Sequence, residues 1–581
     1  MSLMPRVHTL GIVVLASLLA GGAAVGCRTG DAREDGSTSS SEQALLGASP
    51  PARTILHHGN VFTAAPDHAW AEAIAIEGDH IVAVGSNASV LAYQRPGTKV
   101  IDLGGRTVIP GLNDAHVHVV VPEGQALNTL DFRPGPGPTL GEMEGLISSA
   151  AAAAPAGTWL LGFVGTNVFD DASADRFALD TVSPDHPVAL FAWTGHGTWL
   201  NTAAMTALGI AEQEPDPFGG HYDRVAGSAV LTGKAHEYAE FGIRRRLLAL
   251  LPDSHLVAQY QAFARDAVRF GFTSIQDMAV GLTRARSMAV LRAADLPIRV
   301  RSICFALSLG ESCDVPRSHD DSDRPLLRAM GVKWVTDGTP VERNAFLGIP
   351  YADLPGWKGE FNFAAVPLHD MLEQARKGPA WREQRLFHSV GDGAIDDVLS
   401  AMEGTGGPGV WHDRRTRIEH GDLLFPSDFA RAKRLGVVIV QNPTHLALAP
   451  VFAQRFTPAV FQEMEPLRSL LEQHIPLALG TDGIGSAFNP FLDLFLAMIH
   501  PTHPSEALTI EQAVTAYTRG SAYAEFEEDR KGTLSVGRLA DLAVLSQDIF
   551  HIPPPAIIGT TSVLTIVNGN VVWDAGTLGS P

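Results

Sequence analysis

Two histidines separated by one residue, His116 and His118, carry the clearest chemical signal in this 581-residue chain. They end the segment PGLNDAHVH, residues 110–118, which has the character of a β-strand. Side chains two positions apart on a strand point to the same face of the sheet, so both imidazoles would lie on one side. Neutral imidazole nitrogens are frequent ligands of divalent transition metals. The pair therefore predicts a metal site at the end of a strand.

More candidate ligands follow downstream, each at or near the end of an apolar segment. His388 ends the segment LFH, His420 ends RIEH, and Asp482 follows LGT. In a barrel of parallel strands, the carboxyl ends of all strands meet at one mouth, so residues distant in sequence converge there. Each histidine alone could be a structural residue. Four histidines and one aspartate at successive strand ends instead indicate a shared metal site.

Lys333 is an unexpected charge inside the apolar segment GVKWVT, residues 331–336. An unpaired ammonium buried in a barrel costs several kcal/mol, about the penalty for any uncompensated buried charge. Burial lowers the pKa of a lysine and favours the neutral amine. Such an amine could take up carbon dioxide to form a carbamate, whose two oxygens could bridge two metal ions. The alternatives are an edge position or a salt bridge to Asp337 or Glu342.

The segments that carry these residues indicate an α/β architecture. Between residues 110 and 527, apolar strands alternate with helical stretches, which is typical of a parallel sheet. The number of units favours a (β/α)8 barrel with an insertion at about 155–255. The predicted strands are 117–121, 188–193, 273–277, 298–305, 332–336, 385–389, 416–420, 437–442 and 477–481, and the predicted helices include 140–154, 259–270, 368–376 and 509–523.

The two ends of the chain have the pattern of short β-strands without helices. Residues 53–109 contain β-branched runs joined by the turn Glu77-Gly78-Asp79, and residues 528–581 contain a hairpin turn at Asn568-Gly569-Asn570. The simplest interpretation is one discontinuous β-sandwich built from both termini, flanking the barrel of residues 110–527. The alternative is two unrelated β subdomains.

These features resemble the metal-dependent amidohydrolases, and specifically their YtcJ-like branch with an amidohydrolase-3 domain. The resemblance covers about residues 53–577, with matching motifs at 108–118, 331–338, 388–395, 417–420, 480–485 and 532–545. It implies a distorted (β/α)8 TIM barrel with a split β-sandwich. It also implies one or two Zn²⁺ ions as cofactor, held by His116, His118 and Asp482 and by His388 and His420, with carboxylated Lys333 as the bridge.

The expected reaction is hydrolysis of an amide-type C–N bond in a small molecule. Asp482 would act as general base and then general acid. His196 in the segment TGHGTWLN either polarises the carbonyl or forms a structural hydrogen bond. Trp193, Trp199 and Phe305 could form an apolar wall, residues 441–445 could line the pocket, and His236-Glu237 has the character of an exposed pair in a helix. The alternatives are an esterase or isomerase on the same barrel, or a decayed hydrolase that only binds ligand.

The N-terminus has the pattern of an export signal. Arg6 precedes an apolar run, small residues follow, and AVGC at 24–27 resembles a bacterial lipobox with Cys27 as the lipidated residue. We therefore expect a signal peptide at 1–26, a flexible tether at 27–52, and a lipoprotein that contacts the membrane only through its lipid anchor. Arg28 after the cysteine favours the outer membrane. An ordinary cleaved signal is the alternative.

Composition limits the remaining partners. Forty-three basic and 63 acidic residues give a net charge of −20 and a pI of about 5.5. Nucleic-acid binding requires a basic surface, so we expect no nucleic-acid partner; a homo-oligomer stays possible. Three cysteines are too few for a disulfide framework. Cys304 and Cys313 either pair in an oxidising compartment or stay as buried thiols.

Overall fold

The computed structural model describes residues 54–123, 125–127, 135–309, 311, 313, 324–363, 368–377, 383–485 and 488–578. The predicted signal peptide, the tether and Cys27 therefore lie outside the described residues. Within the described ranges, no helix combines the length and the apolar character needed to cross a bilayer. The architecture is a mixed α/β fold with a curled parallel sheet at its centre.

The central sheet contains nine strands, and neighbouring strands are parallel. The segment from Leu477 to Ile484 supplies the strands at both edges of this sheet, Leu477–Leu479 at one edge and Gly483–Ile484 at the other. The sheet curls so far that one chain segment meets both of its edges. In spatial order the strands are Leu477–Leu479, Val438–Gln441, Arg417–His420, Arg385–Ser389, Leu327–Val335, Arg299–Phe305, Phe272–Met278, Leu112–His118 and Gly483–Ile484.

Helices cover the outside of this sheet because each has one apolar face. In Asp253–Arg269, the buried residues Leu256, Tyr260, Phe263 and Ala267 recur at helical spacing and join the main hydrophobic core. The capping box at Thr509 and Gln512 is present. The other helices around the sheet are Arg284–Ala294, Leu368–Lys377, Asp392–Gly404, Pro408–Trp411, Pro426–Leu435, Ala449–Arg455, Pro458–Gln462, Leu467–Glu472, Pro490–Ile499, Ile510–Thr515, Ser521–Ala524 and Pro554–Ile557, with a π-helix at Ala516–Gly520 and 3₁₀ turns at His412–Arg414, Pro443–Leu448 and Pro504–Glu506.

Two smaller sheets are built from the ends of the described chain. A short helix, Asn87–Leu91, lies among the strands of the first end. Thr107–Pro110 pairs with Leu542–Leu545, which joins strands more than 400 residues apart in sequence. Both sheets contribute to one buried apolar cluster that includes Ile74, Val108 and Val544. The first sheet has the strands Thr54–His57, Ala73–Glu77, His80–Gly85 and Lys99–Asp102, and the second has Asn60–Phe62, Trp70–Ala71, Thr107–Pro110, Leu542–Leu545, Ser562–Val567 and Asn570–Asp574.

A separate six-stranded sheet lies between the first two central strands in sequence. The predicted strand at 188–193 lies in this sheet as Val188–Ala192, within the range 155–255 where the sequence predicts an insertion. A run of apolar residues predicts a buried strand without saying which sheet buries it. The strands are Gln125–Ala126, Leu160–Val164, Val188–Ala192, Gly197–Leu200, Gly220–Arg224 and Leu231–Glu237, and the helices are Leu140–Ala153, Thr166–Phe169, Arg176–Val182, Thr202–Ala207 and Tyr238–Ala249.

The two cysteines of the described chain form a disulfide. Cys304 lies near the end of the strand Arg299–Phe305, and its Cα is 5.9 Å from that of Cys313. Both residues are buried. Of the two alternatives left open by the sequence, the structure therefore has the pair.

Candidate metal centre

His116, His118 and Asp482 come together at one end of the central sheet. The two histidines end the strand Leu112–His118, and Asp482 immediately precedes Gly483–Ile484, which pairs with that strand. Oδ1 of Asp482 lies 3.5 Å from Nε2 of His116 and 3.5 Å from Nε2 of His118. The three side chains that the sequence singled out as a ligand set therefore present three donor atoms to one point.

Glu419 supports His116 from the opposite side of the imidazole. Its Oε2 lies 2.6 Å from Nδ1 of His116, and both side chains are completely buried. Arg417, two residues earlier on the same strand, pairs with the Glu419 carboxylate at 2.7 and 2.8 Å. A carboxylate on one ring nitrogen orients the other nitrogen towards a metal. Glu419 is a functional residue that the strand-end pattern does not predict, although the Arg-x-Glu pair on a buried strand is a usable signal.

Lys333 lies in the same cluster. Its Nζ is 2.7 Å from Nε2 of His116, and only 2% of the residue is exposed. Burial lowers the pKa of the Lys333 amine to about 8. The alternative salt bridges are absent from the described residues: Asp337 accepts backbone N–H groups of Val390 and Gly391, and Glu342 accepts from Thr194.

His388 and His420 lie beside this group. Their ring centroids are 4.4 Å apart, and the rings of His116 and His420 are 4.8 Å apart. Nε2 of His388 is buried without a hydrogen-bond partner among the described residues. Oδ1 of Asp337 lies 3.9 Å away, beyond hydrogen-bond distance. A buried polar atom without a partner is costly unless something else satisfies it.

The backbone at two of these positions is unusual. His420 and Asp482 both have positive φ angles, 70° and 48° respectively. Non-glycine residues in this region are uncommon, and they concentrate where a particular side-chain direction is needed. Both residues end or follow a strand of the central sheet. The positive φ turns each side chain towards the cluster.

His445 joins the same group, and the sequence placed it only in a pocket-lining segment. Its Nε2 lies 3.5 Å from Oδ2 of Asp482, and its Nδ1 lies 2.9 Å from Oδ2 of Asp422. Burial alone would lower the pKa of His445, but Asp422 and Asp482 outweigh it and raise the pKa well above its ordinary value. Asp482 thus has histidines on both carboxylate oxygens.

His196 faces the cluster from the insertion sheet. Its ring centroid is 4.7 Å from that of His388, and its Nδ1 is 2.9 Å from Oε2 of Glu237. The expectation of an exposed helical pair at His236-Glu237 is wrong: Glu237 ends the strand Leu231–Glu237 and is buried. Burial alone would lower the pKa of His196, but Glu237 outweighs it and the net shift is upward.

A small cavity of about 40 Å³ opens onto these side chains. Phe305 contributes to its wall as expected, whereas Trp199 lies in the core of the insertion and Trp193 packs against a different apolar cluster. The apolar wall is therefore made by other residues than the tryptophans. Besides the cluster itself, the lining residues are Thr194, Gly195, Phe241, Arg244, Val280, Phe305, Val335 and Ile484.

The donor set suits a divalent transition metal. One ligand atom each from His116, His118 and Asp482 lies within 4.8 Å of the others, and the same holds for His420, His445 and Asp482. Imidazole nitrogen and carboxylate oxygen are the usual ligands of catalytic Zn²⁺. The partnerless Nε2 of His388 is a further donor without another function in the structure. The residues present therefore fit a metal centre.

Known proteins show the same architecture. The chain is 20% identical to the crystal structure of an uncharacterized metal-dependent hydrolase from Pyrococcus horikoshii OT3, with a TM-score of 0.66 over 87% of this chain and 99% of that one. An adenosine deaminase from Xanthomonas campestris has a TM-score of 0.51 at 15% identity, over 92% and 95% of the two chains. These similarities concern the fold.

Curated sequences match over most of their length. An N-substituted formamide deformylase of Arthrobacter pascens is 26% identical over 529 residues, which are 85% of this chain and 93% of the relative. The protein YtcJ of Bacillus subtilis strain 168 is 26% identical over 555 residues, 90% and 99% of the two chains. The family model described as "Amidohydrolase family" matches residues 99–573. The chain therefore belongs to the amidohydrolase family.

Proposed function

We propose that this protein hydrolyses an amide-type C–N bond of a small molecule at the cluster around Asp482. The observation that carries the proposal is the central position of the Asp482 carboxylate. One oxygen lies 3.5 Å from Nε2 of both His116 and His118, and the other lies 3.5 Å from Nε2 of His445. A carboxylate so placed can serve as a ligand and exchange a proton in the same site.

We propose one or two Zn²⁺ ions as the cofactor. The ligands would be the five side chains named from the sequence, with Lys333 as the bridge. The support is the donor chemistry of the cluster and the orphaned nitrogen of His388. The Xanthomonas adenosine deaminase, a neighbour in fold, is described with bound zinc. Bound zinc supplies Lewis acidity, which makes water a better nucleophile and a carbonyl a better electrophile. The proposed ligands are His116, His118, His388, His420, Asp482 and Lys333.

Asp482 is the proposed proton carrier. Burial alone would raise its pKa, but His116, His118 and His445 outweigh it and hold the pKa well below its usual value. The carboxylate is therefore ionised and able to accept a proton from the attacking water. It then returns that proton to the leaving nitrogen, which completes general base and general acid catalysis by one residue.

Lys333 is the proposed site of carboxylation. Its neutral amine would attack the carbon of carbon dioxide, forming an N–C bond and releasing one proton to give an anionic carbamate. The support is its burial, its lowered pKa of about 8, and its 2.7 Å contact with His116. Carboxylation would replace the amine, which now lies beside the ligand nitrogens, with a group that offers two ligand oxygens.

His196 is the proposed group that orients and polarises the substrate carbonyl. Glu237 on Nδ1 raises the pKa of His196 against the effect of burial, which favours the doubly protonated imidazole that donates from both nitrogens. The carboxylate fixes the ring while Nε2–H is available to the substrate oxygen. The side-chain amide of Asn362 donates to the same oxygen, Oε2 of Glu237, at 3.4 Å.

We propose N-acyl amides, with N-substituted formamides as the first class to test. The deformylase from Arthrobacter, which acts on N-substituted formamides by its name, supports this class at 26% identity. The small cavity and its apolar lining, with Phe241, Phe305 and Ile484, also favour a compact, uncharged acyl group. Arg244 faces the cavity but is paired with Glu240 at 2.7 Å, so it offers little to an anionic substrate.

A substrate survey tests this function. The purified protein is stripped of metal with a chelator, reconstituted with Zn²⁺ or Mn²⁺, and assayed with N-formyl amides, other N-acyl amides, cyclic amides and esters. We expect turnover of at least one amide class that depends on added metal. Turnover of esters alone would replace the proposed reaction with ester hydrolysis. Equal turnover in stripped and reconstituted protein would contradict the metal-dependent mechanism.

We also propose that the curled sheet and the terminal sheets are the distorted (β/α)8 barrel and the split β-sandwich of the family. The support is the strand order, in which the segment from Leu477 to Ile484 pairs at both edges of the central sheet. The shared apolar cluster of the two terminal sheets supports a single sandwich of residues 53–109 and 528–581. Separate folding of a 110–527 fragment without the terminal segments would contradict the proposed sandwich, because its apolar face would be exposed.

We propose export and lipid attachment at Cys27. The support is the sequence alone: an apolar run, small residues and the AVGC motif. Mass spectrometry of the membrane fraction should find a diacylglycerol-modified Cys27 as the N-terminal residue. Cys27→Ala should release the protein from the membrane, and an unmodified, freely soluble wild-type protein would contradict the assignment.

A further inference from the structure

A second group of potential metal ligands lies on a hairpin of the insertion sheet. The strands Gly220–Arg224 and Leu231–Glu237 pair with His221 directly opposite His236. Asp223 follows His221 by two residues, at an irregularity in the register between Tyr222 and Arg224. Directly opposed side chains on antiparallel strands have Cβ atoms only about 4.5–5.5 Å apart. We propose that His221, Asp223 and His236 bind a divalent transition-metal ion at a site separate from the centre around Asp482.

The distances within the triad have the spacing of metal ligands. Oδ1 of Asp223 lies 3.3 Å from Nε2 of His236 and 3.6 Å from Nε2 of His221. These separations exceed the ordinary N–H···O hydrogen bond of about 2.9–3.0 Å. Tetrahedral zinc with bonds of about 2.0–2.2 Å requires ligand atoms about 3.3–3.6 Å apart. Oδ1 of Asp223 thus lies at ligand spacing from both imidazoles, all three ligand atoms lie within 4.8 Å of one another, and water would complete the coordination.

The surroundings of the triad favour a cation. The second ring nitrogen of His221, Nδ1, lies 3.7 Å from Oε2 of Glu360, which is beyond hydrogen-bond distance but adds negative charge beside the ring. The ammonium of nearby Lys234 is directed elsewhere, because Nζ is bound by the carbonyl oxygens of Val168, Phe169 and Asp171. His221 and Asp223 are partly exposed, with side-chain accessibilities of 38% and 39%, so an ion can enter from solvent.

The proposed site lies next in sequence to the carboxylate that holds His196. Glu237, which holds His196, follows directly after His236 on the same strand. Glu360 belongs to the segment after the strand Leu327–Val335, where Asn362 bonds to the carbonyl of Val335. A metal ion held by both strands of the hairpin would stabilise it, because a ligand that binds only the folded state raises its stability. We therefore expect the ion to raise the Tm of the protein.

The experiment counts zinc ions per chain. Wild type, His221→Asn and the matched control His255→Asn are dialysed against micromolar Zn²⁺, and bound zinc is measured by mass spectrometry. His255 is an exposed histidine 3.6 Å from a single carboxylate, on Glu123. We expect His221→Asn to bind one zinc ion fewer than wild type and to lose the zinc-dependent part of the Tm increase, while His255→Asn matches wild type. Asp223→Asn, which keeps both imidazoles, should weaken the same binding event at least tenfold.

The design separates this site from the proposed catalytic centre. In an Asp482→Asn background, the zinc ion that depends on His221 should remain, whatever the variant does to turnover. Circular dichroism and the Tm in chelator show whether His221→Asn is folded as wild type. Equal zinc stoichiometry in folded His221→Asn and wild type, together with unchanged affinity in Asp223→Asn, would overturn the proposal.

Discussion

The side-chain nitrogen of Lys333 lies 2.7 Å from Nε2 of His116, and both residues are at most 2% exposed. Nε2 is the nitrogen that Glu419, bound to Nδ1, directs towards Asp482. An ammonium at this distance would repel a cation at the same nitrogen. The contact is therefore compatible with a metal centre only if Lys333 is neutral or carries an anionic group. Carboxylation removes the positive charge of the ammonium and adds a negative one.

Lys333→Ala should abolish most of the activity and lower the metal content, because the bridging oxygens are lost. Short carboxylates such as formate or acetate should restore part of the activity, since they fit the space left by the side chain. Lys333→Arg is the matched control: it fills that space with a permanent charge and should not be rescued. Full metal content and activity in Lys333→Ala would refute the bridging function.

Glu419→Gln should weaken metal binding about 10–100-fold, the usual effect of removing a carboxylate behind a ligating histidine. It also leaves Arg417 with a weaker partner in a fully buried pair, so the Tm should fall. Equilibrium dialysis against zinc measures the first effect and thermal unfolding the second. Glu525→Gln is the control. Glu525 forms a buried ion pair with Lys531, with 2.7 Å between the charged atoms, and this pair lies away from the cluster. It should lower the Tm with metal affinity unchanged, and a similar loss of affinity in both variants would contradict the specific role of Glu419.

His196→Ala should lower kcat by about 100-fold or more, as expected for loss of a polarising group, with metal content unchanged. Glu237→Gln should give a smaller decrease in kcat in the same direction, because the imidazole loses the carboxylate charge that raises its pKa. Steady-state kinetics and metal analysis of the two variants test this. Glu214→Gln, which removes an ion pair with Arg246 elsewhere in the insertion, should leave kcat at the wild-type value. Wild-type kcat in His196→Ala would exclude the residue from the reaction.

Reduction of the Cys304–Cys313 bond should lower the free energy of unfolding by about 2–4 kcal/mol, the usual contribution of a disulfide. Denaturant unfolding with and without reductant measures the difference. The double variant Cys304→Ser/Cys313→Ser should unfold like the reduced wild type and should not respond to reductant. A response of the double variant to reductant would assign the effect to something other than this bond.

The strands of the central sheet were predictable because their apolar runs are continuous and end in polar residues. Arg385–Ser389 begins and ends where the sequence placed it, and Arg417–His420 starts one residue later than expected. The apolar run of Val188–Ala192 predicted a strand but not its sheet, since burial on both faces produces the same run of apolar residues in either sheet.

The candidate ligands were predictable because they follow strands, whereas their supporting residues were not. Glu419 and Glu237 meet their histidines across 303 and 41 residues of sequence, respectively. Neither contact has a local spacing rule, and Glu237 was misjudged because a His-Glu pair is usually solvent-exposed. His445 was found as part of a lining segment, but its contact with Asp482 depends on the turn after the strand Val438–Gln441.

Metal content and turnover of Asp482→Asn test the central claim most directly. Asparagine keeps the size of the side chain but removes the charge and the proton-accepting oxygen, so the variant should fold as wild type. We predict that wild-type protein reconstituted with zinc binds one or two ions at the Asp482 cluster and hydrolyses an amide substrate. The variant should retain less metal there and lose at least about 10³-fold in kcat, within the range for loss of a general acid–base group. A folded Asp482→Asn protein with wild-type metal content and wild-type kcat would contradict the account.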